Sequence, residues 1–240
     1  MSFPKSFGIL LYPRFELLDA AGPLEALICL SRREGFKDMR LSVISETMDP
    51  VSVGQNSSDA NINTFANAIR LMPTHTLDTA PPLDVLIVPG GIGSIDFERS
   101  DTPHHVDKYV DFVRRAYRGE DERQPLKYLI SVCNGAMLLA KAGVLDGHRV
   151  TTTKDLWHLI PPLGPKSHWI ARARWHHSDN IWTTSGVSAG VDGTLAWMES
   201  LVGHETVESV VNTMEWIRAE EADNDPFAKV FGAQDVPPKA

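Results

Sequence analysis

Three short apolar runs, FGILLY (residues 7–12), LDVLIVPGG (83–91) and YLISV (128–132), constrain this chain most. Each is too short for a buried helix, is rich in Ile, Leu or Val, and stops at a Pro, Gly or Cys. Such runs suit parallel strands covered on both faces. Between them lie stretches of helical period. PLEALICLSRR (23–33) has Pro23 at an expected first helical position, with Leu24, Leu27 and Ile28 on one face. HHVDKYVDFVRRAYRG (104–119) places Val106, Tyr109, Val110 and Val113 together. MRLSVISE (39–46) alternates as a further strand, and RVTTT (149–153) reads as another. ANAIRLMPTHTL (66–77) suits a small hairpin or an edge element. ARARWHHSDNIWTTSG (171–186) predicts a β-hairpin turning at SDN. DGTLAWMESLVG and HETVESVVNTMEW continue as helices.

Strands alternating with helices predict an α/β fold, a single doubly wound three-layer sandwich around a mainly parallel sheet. The 240 residues suffice for one substantial core. The expected division is an α/β domain over residues 5–218 and a surface extension over 219–240, where DNDPF and VPPKA show little period.

Composition narrows the function. A net charge of −8 with no dense basic cluster speaks against nucleic acid and anionic membranes as partners. No apolar run approaches the roughly 18 residues of a membrane span. Two cysteines, Cys29 and Cys133, make neither a disulfide framework nor a zinc site. A cytoplasmic protein without a signal peptide is expected. The nine histidines show no metal-ligand spacing, and the adjacent pairs His104–His105 and His176–His177 read as surface residues.

Ligands of such sheets bind beyond the carboxyl ends of the strands. VPGGIGS, SVCNGA and SGVSAGVD stand at those ends. Gly90, Gly91 and Gly93 lack the dinucleotide spacing, and no Walker lysine follows. They are expected either to make a strand-exit turn or to offer N–H groups to an oxyanion. Gly186-Val187-Ser188-Ala189-Gly190 fits the G-x-S-x-G serine elbow. Only His204 follows Ser188, so the Ser–acid–His chain order of a hydrolase fails. Cys29, beside Ile28 on a helix, reads as a buried hydrophobe. Cys133, ending a strand just before a helix, reads either as a core residue or as a nucleophile. The helix N-terminus is expected to favour its thiolate.

Four blocks, ILLYPRFELLDAAGPLEAL, DVLIVPGG, SVCNGAMLLAKAGVLDGHRVTTT and NIWTTSGVSAGVD, together resemble the ThiJ/PfpI superfamily with its flavodoxin-like, class I glutamine amidotransferase-like fold. Their wording is most similar to the isonitrile hydratase branch and to sensor domains of some AraC-type regulators. The resemblance implies that Cys133 is the nucleophile and that Asp19, in the first strand–helix loop, is its acid/base partner. It implies oxyanion donors at Gly91 and Asn134, with Gly90 beside them, and pocket contacts from Gly186, Val187 and Ser188. Asn134 departs from the threonine that often follows the cysteine, and Lys154 stands where many relatives carry histidine. A Cys–His dyad is therefore not supported by the sequence, although His158, or His176 and His177, could approach the site in space.

The implied activity is cofactor-free and cysteine-dependent: water adds to an isonitrile, a small electrophilic substrate, giving an N-substituted formamide. Glyoxalase III- or deglycase-like action on an α-oxoaldehyde is the enzymatic alternative. A redox-sensing or chaperone-like role is the nonenzymatic one. The regulator reading loses ground because the chain has no space for an appended DNA-binding domain. A homodimer is expected.

Overall fold

The computed structural model describes residues 3–54, 64–99, 104–120 and 124–239. Its strands are β1 (Ser6–Leu10), β2 (Arg40–Ser45), β3 (Val51–Ser52), β4 (Arg70–Leu71), β5 (His75–Thr76) and β6 (Val85–Val88), then β7 (Tyr128–Ser131), β8 (Arg149–Val150), β9 (His168–Trp169), β10 (Trp175–Ser178) and β11 (Ile181–Thr184). The helices are α1 (Leu17–Ser31), α2 (Ile92–Arg99), α3 (His104–Arg118), α4 (Ala136–Lys141), α5 (Ala189–Val202), α6 (His204–Met214) and α7 (Phe227–Val230).

Among the described residues the main sheet has seven strands in the order β10-β11-β7-β6-β1-β2-β5. All neighbours are parallel except the β10–β11 hairpin at one edge. That hairpin turns at SDN as expected, with Asp179 in the left-handed region at φ 55. The short β5 at the other edge resolves the ambiguous 66–77 segment. The apolar runs are the sheet's centre: Ile9, Val85, Leu86, Ile87, Leu129 and Ile130 are fully buried. Helices α1, α5 and α6 pack together, and α3 packs on α4, giving the two outer layers of the sandwich. The expected face of α3 is buried through Val106, Tyr109, Val110 and Val113.

Helix α1 differs from expectation. It starts at Leu17, and Pro23 lies inside it. A proline cannot donate to the carbonyl four residues earlier, here that of Asp19. The earlier start puts Asp19 on the first turn of a helix instead of in a loop. Cys29 is buried as expected, whereas Ile28 is 37% exposed, so the apolar stripe is rotated away from it. The RVTTT strand is also shorter than expected: only Arg149 and Val150 pair, and the three threonines leave the ladder. None of the described helices is long and apolar enough to cross a membrane.

Residues beyond α6 run back over the β8–β9 and β10 side. Arg174 N–H donates to Ala222 O at 2.6 Å, Trp157 Nε1 to Gln234 O at 2.8 Å, and Val236 bridges to Trp169.

Candidate active site

Strand β1 sits where the chain's direction of winding reverses, with β2 on one side and β6 on the other. The carboxyl ends of β1, β6 and β7 therefore open onto one crevice. Asp19 follows β1, Gly90 and Gly91 follow β6, and Cys133 follows β7.

Cys133 opens a one-turn 3-10 helix, Cys133–Gly135, ahead of α4. Its backbone is left-handed, with φ 56, a conformation that costs a non-glycine residue about 1–2 kcal/mol. The surroundings hold it there. Cys133 N–H donates to Ser185 O at 3.0 Å, and Cys133 O accepts the Thr152 hydroxyl at 2.8 Å. Gly135 completes the turn because a Cβ there would lie 2.2 Å from Val88 O. The sulfur meets three donors: Asn134 N–H, the Thr153 hydroxyl and Val187 N–H.

Asp19 is fully buried. Its Oδ2 accepts Gly90 N–H at 2.9 Å, while its buried Oδ1 has no hydrogen-bond partner. Gly90 makes this possible, since a Cβ would come within 2.8 Å of that carboxylate and 2.1 Å of Asn134 Oδ1. Burial raises the Asp19 pKa to about 7, opposed by the Gly90 N–H and by a hydrogen bond from the Cys133 thiol, and the neighbouring Glu16 charge adds to the rise. Burial also pushes the Cys133 thiol well above its usual range, and the Asp19 charge pushes it further. The three donors oppose this without reversing it. The thiolate expected from the helix N-terminus is thus disfavoured in the resting protein: desolvation outweighs the dipole of a helix that begins only at Ala136. The Asp19 charge and a Cys133 thiolate repel, so each disfavours ionisation of the other.

The other expected contacts divide. Asn134 N–H faces the sulfur, but Gly91 N–H is already spent on Asn134 Oδ1 at 2.6 Å. Asn134 Nδ2 donates to Gly91 O and Ser94 Oγ, both at 2.9 Å, so its side chain pins the glycine loop. Val187, from the second elbow, supplies the backbone donor that Gly91 does not. Gly186, Val187 and Ser188 line a pocket of about 220 Å³ with Thr153 and Lys154. Lys154 is buried, its pKa lowered to about 8 by desolvation against the opposing charge of Asp225. Its Nζ donates to Thr151 Oγ1, Thr152 O and Ala173 O at 2.8–2.9 Å. These three bonds tie it to the threonine loop and to Ala173.

Ser188 Oγ accepts Arg174 Nη2 at 3.3 Å, and His204, the histidine that follows it in sequence, pairs with Glu199 instead. His177 stacks on Trp182, and His158 lines a different pocket beside Trp157. The side chains of His104 and His105 lie outside the described ones. Among the described residues no group of three or more His, Cys, Asp or Glu is placed to hold a metal ion. Two site groups carry no signal in the sequence. Thr153 is one of three threonines, and Tyr12 lies beneath the site with its hydroxyl donating to Pro89 O at 2.8 Å. Burial and the Asp19 charge raise the Tyr12 pKa well above its usual value.

Residues 5–203 match the DJ-1/PfpI family model. The isonitrile hydratase of Pseudomonas putida is 29% identical over 235 residues, spanning 97% of this chain and 85% of that protein. The HTH-type transcriptional regulator GbdR of Pseudomonas aeruginosa is 27% identical over 202 residues, 84% of this chain but 47% of the regulator. A Pseudomonas syringae THiJ/PfpI protein superposes with a TM-score of 0.68 at 22% identity, covering 97% of this chain and 85% of its own. Drosophila melanogaster DJ-1beta superposes at 0.65 and 19%, covering 89% and 98%; both share the fold. The chain belongs to the DJ-1/PfpI family.

Proposed function

We propose that this chain is a cysteine-dependent enzyme that hydrates isonitriles to N-substituted formamides, with Cys133 as nucleophile and Asp19 as general acid and base. One observation carries the reading: the buried thiol of Cys133 and the buried carboxyl group of Asp19, with one oxygen unpartnered, come together where β1, β6 and β7 end, and burial raises the carboxyl pKa to about 7. A general acid/base works best near the operating pH. The similarity to isonitrile hydratase supports the choice of substrate class.

In the reactive form the thiol proton sits on Asp19 and the sulfur is anionic among its three donors. The sulfur bonds to the terminal carbon of R–NC as Asp19 delivers its proton to that carbon, giving a thioimidate, R–N=CH–S. Asp19, now a carboxylate, takes a proton from water as the water oxygen adds to the same carbon, then passes that proton to nitrogen. Collapse of the R–NH–CH(OH)–S adduct breaks the C–S bond. The hydroxyl proton returns to the Cys133–Asp19 pair, and R–NH–CHO leaves. One water is consumed and the enzyme is regenerated. The unpartnered Asp19 Oδ1 is the atom free for these transfers.

The test assays the purified protein with a small isonitrile and with methylglyoxal, comparing wild type, Cys133→Ala and Asp19→Ala. Formamide produced by wild type and lost in both variants is the expected result. Activity that survives Cys133→Ala sinks the reading. Lactate from methylglyoxal without formamide moves the chain to the glyoxalase branch. The reading carries with it a cytoplasmic homodimer, checked by light scattering of the purified protein and by cell fractionation.

A further inference from the structure

The segment after α6 brings two aromatic rings to a pocket that neighbours the cysteine site. Phe227 and Phe231 are four residues apart in and just beyond α7, a spacing that puts them on one side of the turn. They remain 48% and 52% exposed, and both line the 220 Å³ pocket with Thr153, Lys154, Val187 and Ser188. Thr153 and Val187 also act on the Cys133 sulfur, so the pocket shares two of its lining residues with the thiol's surroundings while Cys133 itself lies behind them. Cys133 itself keeps 9% exposure.

The rings are held in place by a buried anchor. Asp225 is 5% exposed; its Oδ1 accepts Phe227 N–H at 3.0 Å and its N–H donates to Arg172 O at 2.9 Å. Its Oδ2 lies 3.4 Å from Lys154 Nζ, and neither side chain reaches solvent. Burying an ion pair is expensive, and this one fastens α7 to the threonine loop beside the nucleophile.

We propose that Phe227 and Phe231 form an apolar subsite for the hydrocarbon substituent of the molecule that reacts at Cys133, favouring aryl and cycloalkyl groups. The proposal rests on Cys133 being the nucleophile. The pocket is also lined by Asp155 and Ser185, and its 220 Å³ exceeds the roughly 150 Å³ in which benzene fits, so a six-membered ring has room against the two phenylalanines. The reacting carbon then projects past Thr153 and Val187 toward the sulfur.

The test needs no turnover. Rate constants for alkylation of Cys133 by iodoacetamide and by N-benzyliodoacetamide are measured by peptide mass spectrometry, which separates Cys133 from Cys29. The proteins are wild type, Phe227→Ala, Phe231→Ala and Phe231→Trp. Wild type is expected to favour the benzyl reagent. The benzyl-to-plain ratio is expected to fall about tenfold in the alanine variants, the scale of a lost pocket contact, and to fall in Phe231→Trp because the larger ring fills the space. A ratio that stays at the wild-type value in all three variants overturns the subsite, as does a Cys133 that neither reagent reaches. Benzyl preference without formamide from any isonitrile would sink the hydration reading and leave the subsite standing. Equal kcat/KM for methyl and benzyl isonitrile with no labelling preference would do the reverse.

Discussion

The two elbows of this sheet look alike in sequence and differ in almost every physical respect. Cys133 follows β7 and Ser188 follows β11, parallel neighbours, and each sits in a glycine-bearing turn that opens a helix. Cys133 is left-handed at φ 56, whereas Ser188 is an ordinary helical residue at φ −66, ψ −27. Cys133 faces a buried carboxyl group with an unpartnered oxygen. Ser188 faces Arg174, whose charge is met by Asp192 at 2.7 Å, and Asp192 in turn accepts Trp216 Nε1 and the Ala219 N–H. One elbow is left with an unmet demand and the other is satisfied. A reactive group needs the unmet demand; the G-x-S-x-G elbow instead serves its neighbour by lending Val187 N–H to the sulfur.

The sharpest attempt to break this contrast removes each nucleophile in turn. Cys133→Ala is expected to lower kcat/KM for isonitrile hydration at least about 10³-fold, the scale for losing a covalent nucleophile. Ser188→Ala, which alters a pocket lining and removes one 3.3 Å bond from Arg174, is expected to act mainly through KM. Steady-state kinetics on both variants decides it, and the opposite ranking would make the serine elbow the catalytic one.

The buried carboxyl group gives the next effect. An Asp pKa raised from 3.8 to about 7 means that the folded state keeps a proton that the unfolded chain releases. Stability therefore falls as pH rises between those values and is flat above about 7. Asp19→Asn, neutral throughout, is expected to be more stable than wild type at pH 8 by roughly 2–4 kcal/mol, since a tenfold change in proton affinity is worth about 1.36 kcal/mol. The gain should vanish near pH 4. Urea unfolding at the two pH values reads this, and an equal difference at both would remove the buried-charge account. Alkylation of Cys133 in wild type should rise with an apparent pKa near 7, as Asp19 becomes able to accept the thiol proton. That limb should move to higher pH in Asp19→Asn.

At the satisfied elbow the network itself is the target. Arg174→Met leaves Asp192, 2% exposed, without its cation, and breaking such a pair costs about 3 kcal/mol. The expected result is a lower urea midpoint with Cys133 alkylation near its wild-type rate. Loss of alkylation at unchanged stability would give the Arg174–Ser188 side a chemical role.

Much of this arrangement is legible in the sequence because it rests on local pattern. The apolar runs mark the central strands, SDN marks the hairpin, and the strand–Cys–Gly–helix junction marks the elbow. What stays hidden depends on packing over long sequence separations. Thr153 reaches the sulfur because RVTTT stops pairing at Val150, and three adjacent threonines carry no sign of which one turns inward. Gly91 resembles an oxyanion donor because a glycine turn exposes its backbone, yet Asn134, 43 residues away, takes that N–H. The direction of the Cys133 pKa is hidden for the same reason. A helix dipole is visible in a sequence, whereas the burial that outweighs it is made by β1, β6 and β11 together. Pro23 suggests a helix start because proline suits N1, and the Leu17–Gly22 turn before it tolerates the lost bond.

The smallest effect separates the elbows by backbone alone. At Cys133 a side chain in the left-handed region costs about 1–2 kcal/mol that glycine does not incur, against the roughly 0.5–1 kcal/mol by which glycine is entropically worse than alanine. Cys133→Gly is therefore expected to be more stable than Cys133→Ala, by a margin of up to about 1 kcal/mol. At Ser188, which has helical angles and no side-chain capping bond, no conformational relief is available, and Ser188→Gly should be less stable than Ser188→Ala by about 0.5–1 kcal/mol. The four urea midpoints form one comparison. Opposite signs at the two positions would locate the strain at the cysteine, independent of any chemistry its sulfur performs. The same sign at both would mean that the left-handed turn carries no strain, leaving the distinction between the elbows to burial beside Asp19 and to the Arg174–Asp192 network.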